Sequence, residues 1–518
     1  MDSAGSVTVP PTRWPGAAVL LGITAALRAP SFARAYLSDD EAIYAAVGRA
    51  VAAGARLYVD AVDHKPPAIY WLYAVAHRVG GDDVAMVLLH GLLIAVVWAT
   101  ALVLGAIARR AAPDTPHLDR VAALLYVVFT TAMMSFDSLA ANAELWMMLP
   151  ASLSVLLVLD NRVNWMRAAA AGALLSVAAA FKYQALVQLP LLLLPLAFIG
   201  SVPVSKRVGR LLAATAGLIL PLVAMAWWFQ SRGDLGEAIY WFTFNFAYIG
   251  AGSAPSEVVW RALPRIAFVI GPALLLYLAA AISLRGAWRA GGTRRWMLAW
   301  AALSAVAVCA GGRFFGHYFH QLTAPLAVLA APVVVSLIAT RRRTVIAALA
   351  APALAFWFAA WIPDTVVRGA ESRIGIAAIQ PDPDYAAVVR WLDQRDPARG
   401  SLCVWGNSPM LVAQARRPLG CRFVSANFLT GLSPATASQT DPAVDASPNI
   451  VPGMRARLEA DLAQRRPEFI VDGSAGNVAY FGKFPPEGYA ALWTVLQRDY
   501  VVLGVVEGMR VFRRRPGI

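Results

Sequence analysis

The stretch VAMVLLHGLLIAVVWATALVLGAIARR, residues 84–110, decides the class of fold. From Val84 to Ala108 it has no aspartate, glutamate, lysine or arginine, and it ends on Arg109 and Arg110. A run of about 20 mainly apolar residues is long enough for a helix to cross a bilayer. Arginine directly after such a run is typical of the cytoplasmic side. The stretch therefore predicts a membrane-spanning helix.

The composition of the whole chain agrees with this stretch. Of the 518 residues, 59% are hydrophobic, without counting the 38 glycines, and 15% are charged. Soluble proteins have roughly 45–50% apolar residues with glycine included, and roughly 25% charged ones. These values exclude a soluble multi-domain enzyme and also a disordered chain, which needs the opposite balance. We expect an integral membrane protein in contact with membrane lipid.

Apolar runs of spanning length, or slightly shorter, recur as far as residue 362. We count about eleven: 16–33, 84–108, 119–135, 140–159, 165–181, 184–201, 208–229, 264–284, 296–312, 318–338 and 344–362. Four closely spaced runs between 119 and 201 leave the count open by one or two. The first run lacks a signal-peptide cleavage pattern, so we expect it to remain as a helix. The predicted fold class is mainly α, a polytopic transmembrane helical bundle over residues 16–362.

The net charge of +14 follows from basic clusters between the apolar runs. These clusters are Arg109-Arg110, Lys206 to Arg210, Arg285 to Arg295, and Arg341 to Arg343. All four lie on the cytoplasmic side if segment 1–15 is cytoplasmic, which the positive-inside rule favours. We therefore expect a cytoplasmic (inner) membrane protein whose outer side carries the loop 34–83, residues 231–262, and the C-terminus. No nucleic-acid partner is expected, because such a surface needs a continuous basic patch.

Residues 363–518 predict a small extracytoplasmic α/β domain. A helix is expected over 381–396 and others near 453–464 and 487–497, with strands at 402–405 and 469–471 and a hairpin over 500–512. Cys403 and Cys421 both belong to this domain. A disulfide between them and two unpaired thiols remain equal alternatives, because the sequence gives no geometry.

The outer loop 34–83 contains an unusual cluster of charged residues. Tyr36 to Glu41 reads YLSDDE, and Asp60 to Trp71 reads DAVDHKPPAIYW. Carboxylates also occur at helix N-termini for electrostatic reasons alone, so a solvated cap is one interpretation. The other is a functional site, because acids near a membrane are costly to keep close to lipid.

The motifs of this loop resemble those of the GT-C membrane glycosyltransferases. The most similar group is the dolichyl-phosphate-mannose–protein mannosyltransferase-like group, which includes bacterial aminoarabinose and lipopolysaccharide-core sugar transferases. The resemblance covers residues 16–340. Beyond the loop it rests on Asn142-Ala143-Glu144 with Leu149-Pro150, on FKYQ at 181–184, and on RFFGHYF at 313–319.

This resemblance implies a GT-C-type bundle that moves one sugar, with inversion, from a polyprenyl-phosphate donor to an acceptor hydroxyl on the outer face. Asp40 aligns with the family's catalytic aspartate and is the expected general base. Glu41 would orient Asp40 or the acceptor. Asp39 is an additional acid, so the choice between Asp39 and Asp40 stays open. The acceptor, a glycan, a lipid or a protein, is not specified by the sequence.

The leaving phosphate needs fixed cations, and Lys65, Arg313 and His317 are the candidates. A snorkelling Lys65 and an interfacial, backbone-bonded His317 are the structural alternatives. The expected substrate-binding residues are Asp39, Asp63, Tyr58, Glu144 and Tyr318. Asp63 binds substrate or holds Lys65, whereas Glu144 contacts the sugar or pairs with Lys182. The aromatic run 240–248 predicts an interfacial belt, with stacking on a sugar or prenyl chain as the alternative.

No cofactor is required by the sequence, and a divalent cation stays open because the carboxylates lack a diagnostic ligand spacing. Two other functions remain to be weighed. A transporter or flippase of a lipid-linked sugar would have broken helices at the midplane of the membrane. A non-catalytic envelope assembly protein would tolerate loss of Asp40, Glu41 and Lys65.

Overall fold

The computed structural model of the protein describes residues 16–132, 135–159, 163–198, 202–250, 255–359, 361, 383–434, 439, 441 and 443–517. The predicted N-terminal segment 1–15 and the predicted boundary at 362–363 therefore lie outside the described residues. The described α-helices of the bundle are α1 Ala17–Arg28, α2 Asp39–Ala52, α3 Pro67–Ala111, α4 Leu118–Thr131, α5 Ser135–Leu139, α6 Ala143–Val158, α7 Trp165–Phe181, α8 Leu189–Phe198, α9 Val204–Ser231, α10 Leu235–Gly250, α11 Pro255–Ile270, α12 Leu274–Ala290, α13 Gly292–Cys309, α14 His320–Ala339 and α15 Arg343–Ala359.

Four helical segments in the described part of the chain are long and apolar enough to cross a membrane: Pro67–Ala111, Val204–Ser231, Gly292–Gly312 and Gly316–Ala339. A fifth span is possible by the same criteria if Ser256–Ile270 and Leu274–Ala290, which meet at 99°, are one broken span. Shorter apolar helices occupy five of the remaining predicted runs, such as Trp165–Phe181. The chain is thus mainly helical, and the number of eleven spans stays a prediction.

Two sequence expectations differ from the observed helices. The run 264–284 is not one helix, because it breaks between Ile270 and Leu274, where Gly271-Pro272 interrupts the hydrogen-bond ladder. The outer loop 34–83 is partly helical, since it contains α2 and the first turns of α3. Helix α3 continues as far as Ala111 through a non-helical residue, Gly81, whose φ of 60° suits glycine.

The C-terminal part contains a four-stranded sheet of order β1-β2-β4-β3. The strands are β1 Leu402–Trp405, β2 Phe469–Asp472, β3 Tyr500–Val506 and β4 Met509–Arg514. Strands β1 and β2 are parallel, and β4 is antiparallel to β2 and β3. The helices beside the sheet are α16 Tyr385–Arg395, α17 Pro409–Ala415, α18 Asn427–Thr430, α19 Met454–Arg465 and α20 Ala490–Asp499.

A disulfide joins Cys403 of β1 to Cys421, which decides between the two alternatives that the sequence left open. The C-terminal part packs on the loop before α3 and on α2. The backbone N–H of Val62 donates to the carbonyl of Arg422 at 2.9 Å, and the Arg49 guanidinium donates to the carbonyls of Val412 and Ala413. Through these contacts the C-terminal part covers the region that contains the acidic motif.

Candidate active site

Asp40 lies in the first turn of α2. Ser38 caps this helix, and its hydroxyl accepts a hydrogen bond from the backbone N–H of Glu41 at 3.2 Å. Both the cap and the acids of the first turn stabilise a helix N-terminus. The helix starts here because of its local sequence, and this start fixes the position of the Asp40 carboxylate.

Three side chains approach one oxygen of Asp40. The Nζ of Lys65 and the hydroxyl of Tyr44 each lie 3.2 Å from Oδ2, and the Nε2 of His317 lies 3.6 Å from it. Burial alone would raise the pKa of Asp40, but the positive charges of Lys65, His317 and Lys182 outweigh it and hold the pKa well below its usual range. Asp40 is therefore ionised at neutral pH.

His317 is held in position by Asp137. Its Nδ1 lies 2.7 Å from Oδ1 of Asp137, and its backbone N–H donates to Oδ2 of the same residue at 2.9 Å. The second ring nitrogen is left on the side of Asp40. The imidazole is therefore anchored by a side-chain carboxylate, in contrast to the backbone-bonded alternative for its ring.

Two tyrosines hold the Lys-Pro-Pro turn, residues 65–67, and the acid before it through hydrogen bonds. The hydroxyl of Tyr58 donates to the carbonyl of Lys65 at 2.7 Å, and the hydroxyl of Tyr70 donates to Asp63. Asp63 also lies 3.0 Å from Nδ1 of His64. Burial would raise the pKa of Asp63, but His64, Lys65 and these hydrogen bonds lower it. Tyr58 thus supports the turn that carries Lys65.

Glu41 faces away from Asp40, into the protein. Its buried carboxylate accepts from the backbone N–H groups of Leu37 and Ala141, at 2.6 and 2.7 Å, and lies 3.2 Å from Nε2 of His90. The structure therefore does not bring Glu41 to the same space as Asp40. Its contacts fasten the start of α2 to the segment before α6.

Glu144 pairs with Lys182, which is one of the two alternatives that the sequence left open. The Nζ of Lys182 lies 2.6 Å from Oε1 of Glu144, and both side chains are buried. The same Nζ lies 4.7 Å from the ring centroid of Tyr318. Tyr318 also lines a cavity beside Asp40, so this residue connects the buried pair to the open space.

Arg313 contacts the C-terminal part. Its guanidinium donates to the hydroxyl of Ser433 at 2.7 Å and to the carbonyl of Pro434 at 3.0 Å. Ser433 and Pro434 line the cavity beside Asp40, and Arg313 lies behind them without being a lining residue itself. The predicted phosphate ligand is thus a bridge between the bundle and the C-terminal part.

Two cavities, of about 670 Å³ and about 490 Å³, meet at Asp40. The larger cavity is lined by Asp63, His64 and Lys65 and by Tyr240, Thr243 and Phe244 of the aromatic run. The smaller one is lined by Asp39, Asp137 and His317. The residues common to both linings are Asp40, Ile43, Phe315, Asn427 and Pro434. Among the described residues, there is no group of three or more His, Cys, Asp or Glu side chains that could hold a metal ion.

Several contributors were not foreseen from the sequence. Tyr44 lies four residues after Asp40 in α2, and this spacing, which puts two side chains on one helix face, is a signal that could have found it. Asp137 is an acid near the membrane, which is a general sign of function, but only the tertiary fold shows that it holds His317. Asn427 has no signal in the sequence. His64, to which the sequence gives no role, contacts Asp63 and lines the larger cavity.

The sequence matches no protein-family model and no curated protein. Solved structures do match. ArnT from Cupriavidus metallidurans bound to undecaprenyl phosphate superposes with a TM-score of 0.57 at 14% identity, over 96% of this chain and 98% of that one. The fold is the GT-C fold. The oligosaccharyltransferase of Archaeoglobus fulgidus, in a complex with Zn and sulfate, also has this fold, with a TM-score of 0.50 at 12% identity over 96% of this chain and 73% of that one. The GT-C fold expected from the sequence motifs is thereby confirmed.

Proposed function

We propose that the protein is an inverting glycosyltransferase that moves a single sugar from a polyprenyl-phosphate donor to an acceptor hydroxyl. The observation that carries this proposal is the position of Asp40, an ionised carboxylate beside Lys65 at the junction of two cavities. The donor can occupy one cavity and the acceptor the other, so that both substrates reach Asp40. The GT-C fold, shared with an ArnT structure that contains undecaprenyl phosphate, supports the class of donor.

The chemistry requires one displacement. The acceptor oxygen forms a bond to the anomeric carbon while its proton passes to the Asp40 carboxylate. The bond between the anomeric carbon and the phosphate oxygen breaks, and its electron pair leaves with the lipid phosphate. Positive charge from Lys65 and His317 stabilises the leaving group. A single displacement inverts the anomeric configuration and needs no covalent enzyme intermediate.

Because Lys65 contacts Asp40, the donor has to bind before Asp40 becomes an effective base. A base with a strongly lowered pKa is a poor proton acceptor. When a donor phosphate enters, its charge competes for Lys65 and draws the ammonium away from Asp40. The pKa of Asp40 then rises towards its ordinary value, so donor binding strengthens the base.

The remaining residues divide by position. Asp39, Asp63 and Tyr318 line the cavities and are proposed substrate contacts. Glu41, Tyr58, Glu144 and Arg313 are proposed to hold the site through the contacts described above. The transferred sugar is a hexose or a pentose, and the acceptor is a glycan, a lipid or a protein.

We also propose about eleven spans, a cytoplasmic N-terminus, and an outer location for residues 363–518 in the inner membrane. The disulfide between Cys403 and Cys421 supports the outer location, because disulfides persist in oxidising compartments and are rare in the cytosol. Residues 16–362 would then form the catalytic domain.

The experiment that tests the proposal is release of sugar from a panel of undecaprenyl-phosphate monosaccharides by the protein in nanodiscs. Turnover of one donor supports a transferase. Transbilayer movement of a donor without turnover would instead indicate a flippase. Turnover that is indifferent to loss of Asp40 and Lys65 would argue against the proposed site.

A further inference from the structure

The two carboxylate oxygens of Asp40 differ in their contacts. The Oδ2 atom is approached by Lys65, Tyr44 and His317. The Oδ1 atom accepts no hydrogen bond from the described residues, and it keeps accessible surface in a side chain that is 22% exposed. A hydroxyl that enters the site can therefore donate to Oδ1 without displacing any of the three neighbours of Oδ2.

Asn407 presents a second polar atom that the described residues leave without a partner. This residue follows β1 and lines the smaller cavity. Its Oδ1 accepts from the hydroxyl of Ser425 at 3.2 Å and from Nδ2 of Asn427 at 3.1 Å, and these two bonds fix the direction of the amide. Its own Nδ2 donates to none of the described residues and is accessible, although Asn407 as a whole is only 8% exposed. Since polar groups in such surroundings normally have a partner, this amide keeps a donor for a ligand.

The charges around the two cavities indicate which substrate each one takes. Lys65 lines the larger cavity together with Asp40 and Asp63, and the Arg313 guanidinium lies behind its wall, bonded to Ser433. Two cations therefore balance two carboxylates there. The described ionisable residues that line the smaller cavity are three carboxylates and one imidazole, namely Asp39, Asp40, Asp137 and His317. Because this excess of negative charge repels an anion, the donor phosphate belongs in the larger cavity and the smaller one is left for the acceptor.

Aromatic rings also line the smaller cavity. Phe268 of α11 and Phe356 of α15 both contribute to the lining, with ring centroids 5.3 Å apart. Phe315 is a third member, and it stacks on the ring of His317 with centroids 5.5 Å apart. The cavity thus combines atoms that can bind hydroxyl groups with a surface that can bind an alkyl chain. This combination fits an amphiphile with a hydroxyl-bearing head.

We propose that the smaller cavity binds the acceptor, an amphiphile whose uncharged head carries hydroxyl groups, and that Asn407 binds this head. This inference rests on the proposed function and deepens it by naming the class of acceptor. The attacking hydroxyl donates to Oδ1 of Asp40, and Nδ2 of Asn407 donates to another oxygen of the same head. As the acceptor oxygen bonds to the anomeric carbon, its proton passes to Oδ1 of Asp40, and the lipid phosphate leaves with its electron pair.

Photolabelling of the protein in nanodiscs tests this inference without requiring turnover. The probe is octyl β-glucoside with a diazirine in its alkyl chain. Binding is measured as the concentration of unlabelled octyl β-glucoside that halves the labelling. Octyl β-glucuronide, which has the same ring and chain with one carboxylate added, is the anionic competitor. Undecaprenyl phosphate is the competitor for the larger cavity.

Two variants remove the amide donor. Asn407→Asp keeps an oxygen that accepts from Ser425 and Asn427, and Asn407→Ala removes the donor without adding a charge. Asn477→Asp, in an exposed turn of the C-terminal part, is the matched control, because either side chain accepts from the backbone N–H of Gly482. Thermal unfolding of each variant checks its folding, and Asn407→Ala carries the test if Asn407→Asp does not fold.

In the wild type, octyl β-glucoside should compete for labelling of the peptides that contain Phe268 or Phe356. Octyl β-glucuronide should need about tenfold higher concentrations, because of the like charges in the lining. Each Asn407 variant should raise the half-competing concentration of octyl β-glucoside by about fivefold, as loss of one hydrogen bond predicts. Undecaprenyl phosphate should not compete, and Asn477→Asp should match the wild type.

Labelling that undecaprenyl phosphate abolishes would overturn the inference, because the two ligands would then share one cavity. Equal competition by the glucoside and the glucuronide, unchanged competition in the Asn407 variants, or no competition by the glucoside in the wild type would also overturn it. Since every readout is binding, an absence of turnover by the wild type would count against glycosyl transfer and not against this inference.

Discussion

The Nζ of Lys65 lies 3.2 Å from Oδ2 of Asp40, so the proposed base and the proposed phosphate ligand neutralise each other in the free protein. The two residues are 25 positions apart, and the Lys-Pro-Pro turn before α3 brings them together. A group that binds Lys65 therefore has to compete with Asp40 for the ammonium. A donor phosphate is the group best suited to do so.

Replacement of Lys65 by Met should change the pH dependence of turnover. The reaction requires ionised Asp40, so the rate falls as the pH drops through the pKa of this group. In the wild type without donor this pKa lies well below its usual range, and loss of Lys65 should raise it towards the ordinary value of about 3.9. The acid limb of kcat/KM, which reports the free enzyme, should therefore move to higher pH, together with a lower kcat/KM at neutral pH.

Lys65→Arg is the control for this experiment, because it keeps the positive charge. Its acid limb should stay close to that of the wild type. An unmoved acid limb in Lys65→Met would show that Lys65 does not set the protonation of Asp40.

Glu144 and Lys182 should behave as a buried ion pair. Lys182→Met removes the nearest cation from the buried Glu144 carboxylate, leaves the His317 ring at 3.9 Å, and should lower the free energy of unfolding by about 3–5 kcal/mol. The double variant Glu144→Gln with Lys182→Met should recover much of this loss, because no unpaired charge remains. Denaturant unfolding in detergent measures both values. The pairing would be contradicted if the double variant lost as much free energy of unfolding as Lys182→Met and Glu144→Gln lose together.

Substitutions of the neighbouring residues Asp40 and Glu41 should have different effects, the first on the reaction and the second on stability. Glu41→Ala removes the acceptor of two buried backbone N–H groups and should destabilise the protein by about 1–3 kcal/mol. Its folded fraction should still bind donor phosphate. Asp40→Asn should leave the unfolding midpoint close to that of the wild type. Thermal unfolding combined with donor binding separates the two outcomes, and equal stability of both variants would disprove the structural role of Glu41.

Thiol labelling should reveal the Cys403–Cys421 disulfide. The chain has three cysteines, and Cys309 is an exposed free thiol. Denatured protein should therefore take up one maleimide before reduction and three after it. Replacing both bridged cysteines by serine should lower the free energy of unfolding by about 3 kcal/mol, the value expected for a loop of this length. Three labels without reduction would contradict the bridge and the outer location that it supports.

The sequence was sufficient for the GT-C fold, and it singled out Asp40 and Lys65, which the structure brings into contact. Apolar runs such as 165–181 coincide with helices, since lipid leaves a segment few other ways to satisfy its backbone. The sequence did not show how neighbouring acids are oriented. Consecutive helical residues point about 100° apart, and in α2 this directs Asp39 and Asp40 to the smaller cavity and Glu41 into the protein. Asp137 and His317 are 180 positions apart, and no local pattern joins them.

The account is tested most directly by turnover of undecaprenyl-phosphate monosaccharides by the wild type and by Asp40→Asn, in nanodiscs and with a panel of acceptors. Asp114→Asn, in an exposed turn between α3 and α4, is the matched control and should retain wild-type activity. The wild type should transfer one sugar with inversion, and Asp40→Asn should lose about a hundredfold or more of this rate, as expected for loss of a general base. Equal rates in the wild type and in Asp40→Asn would contradict the central claim that Asp40 is the base.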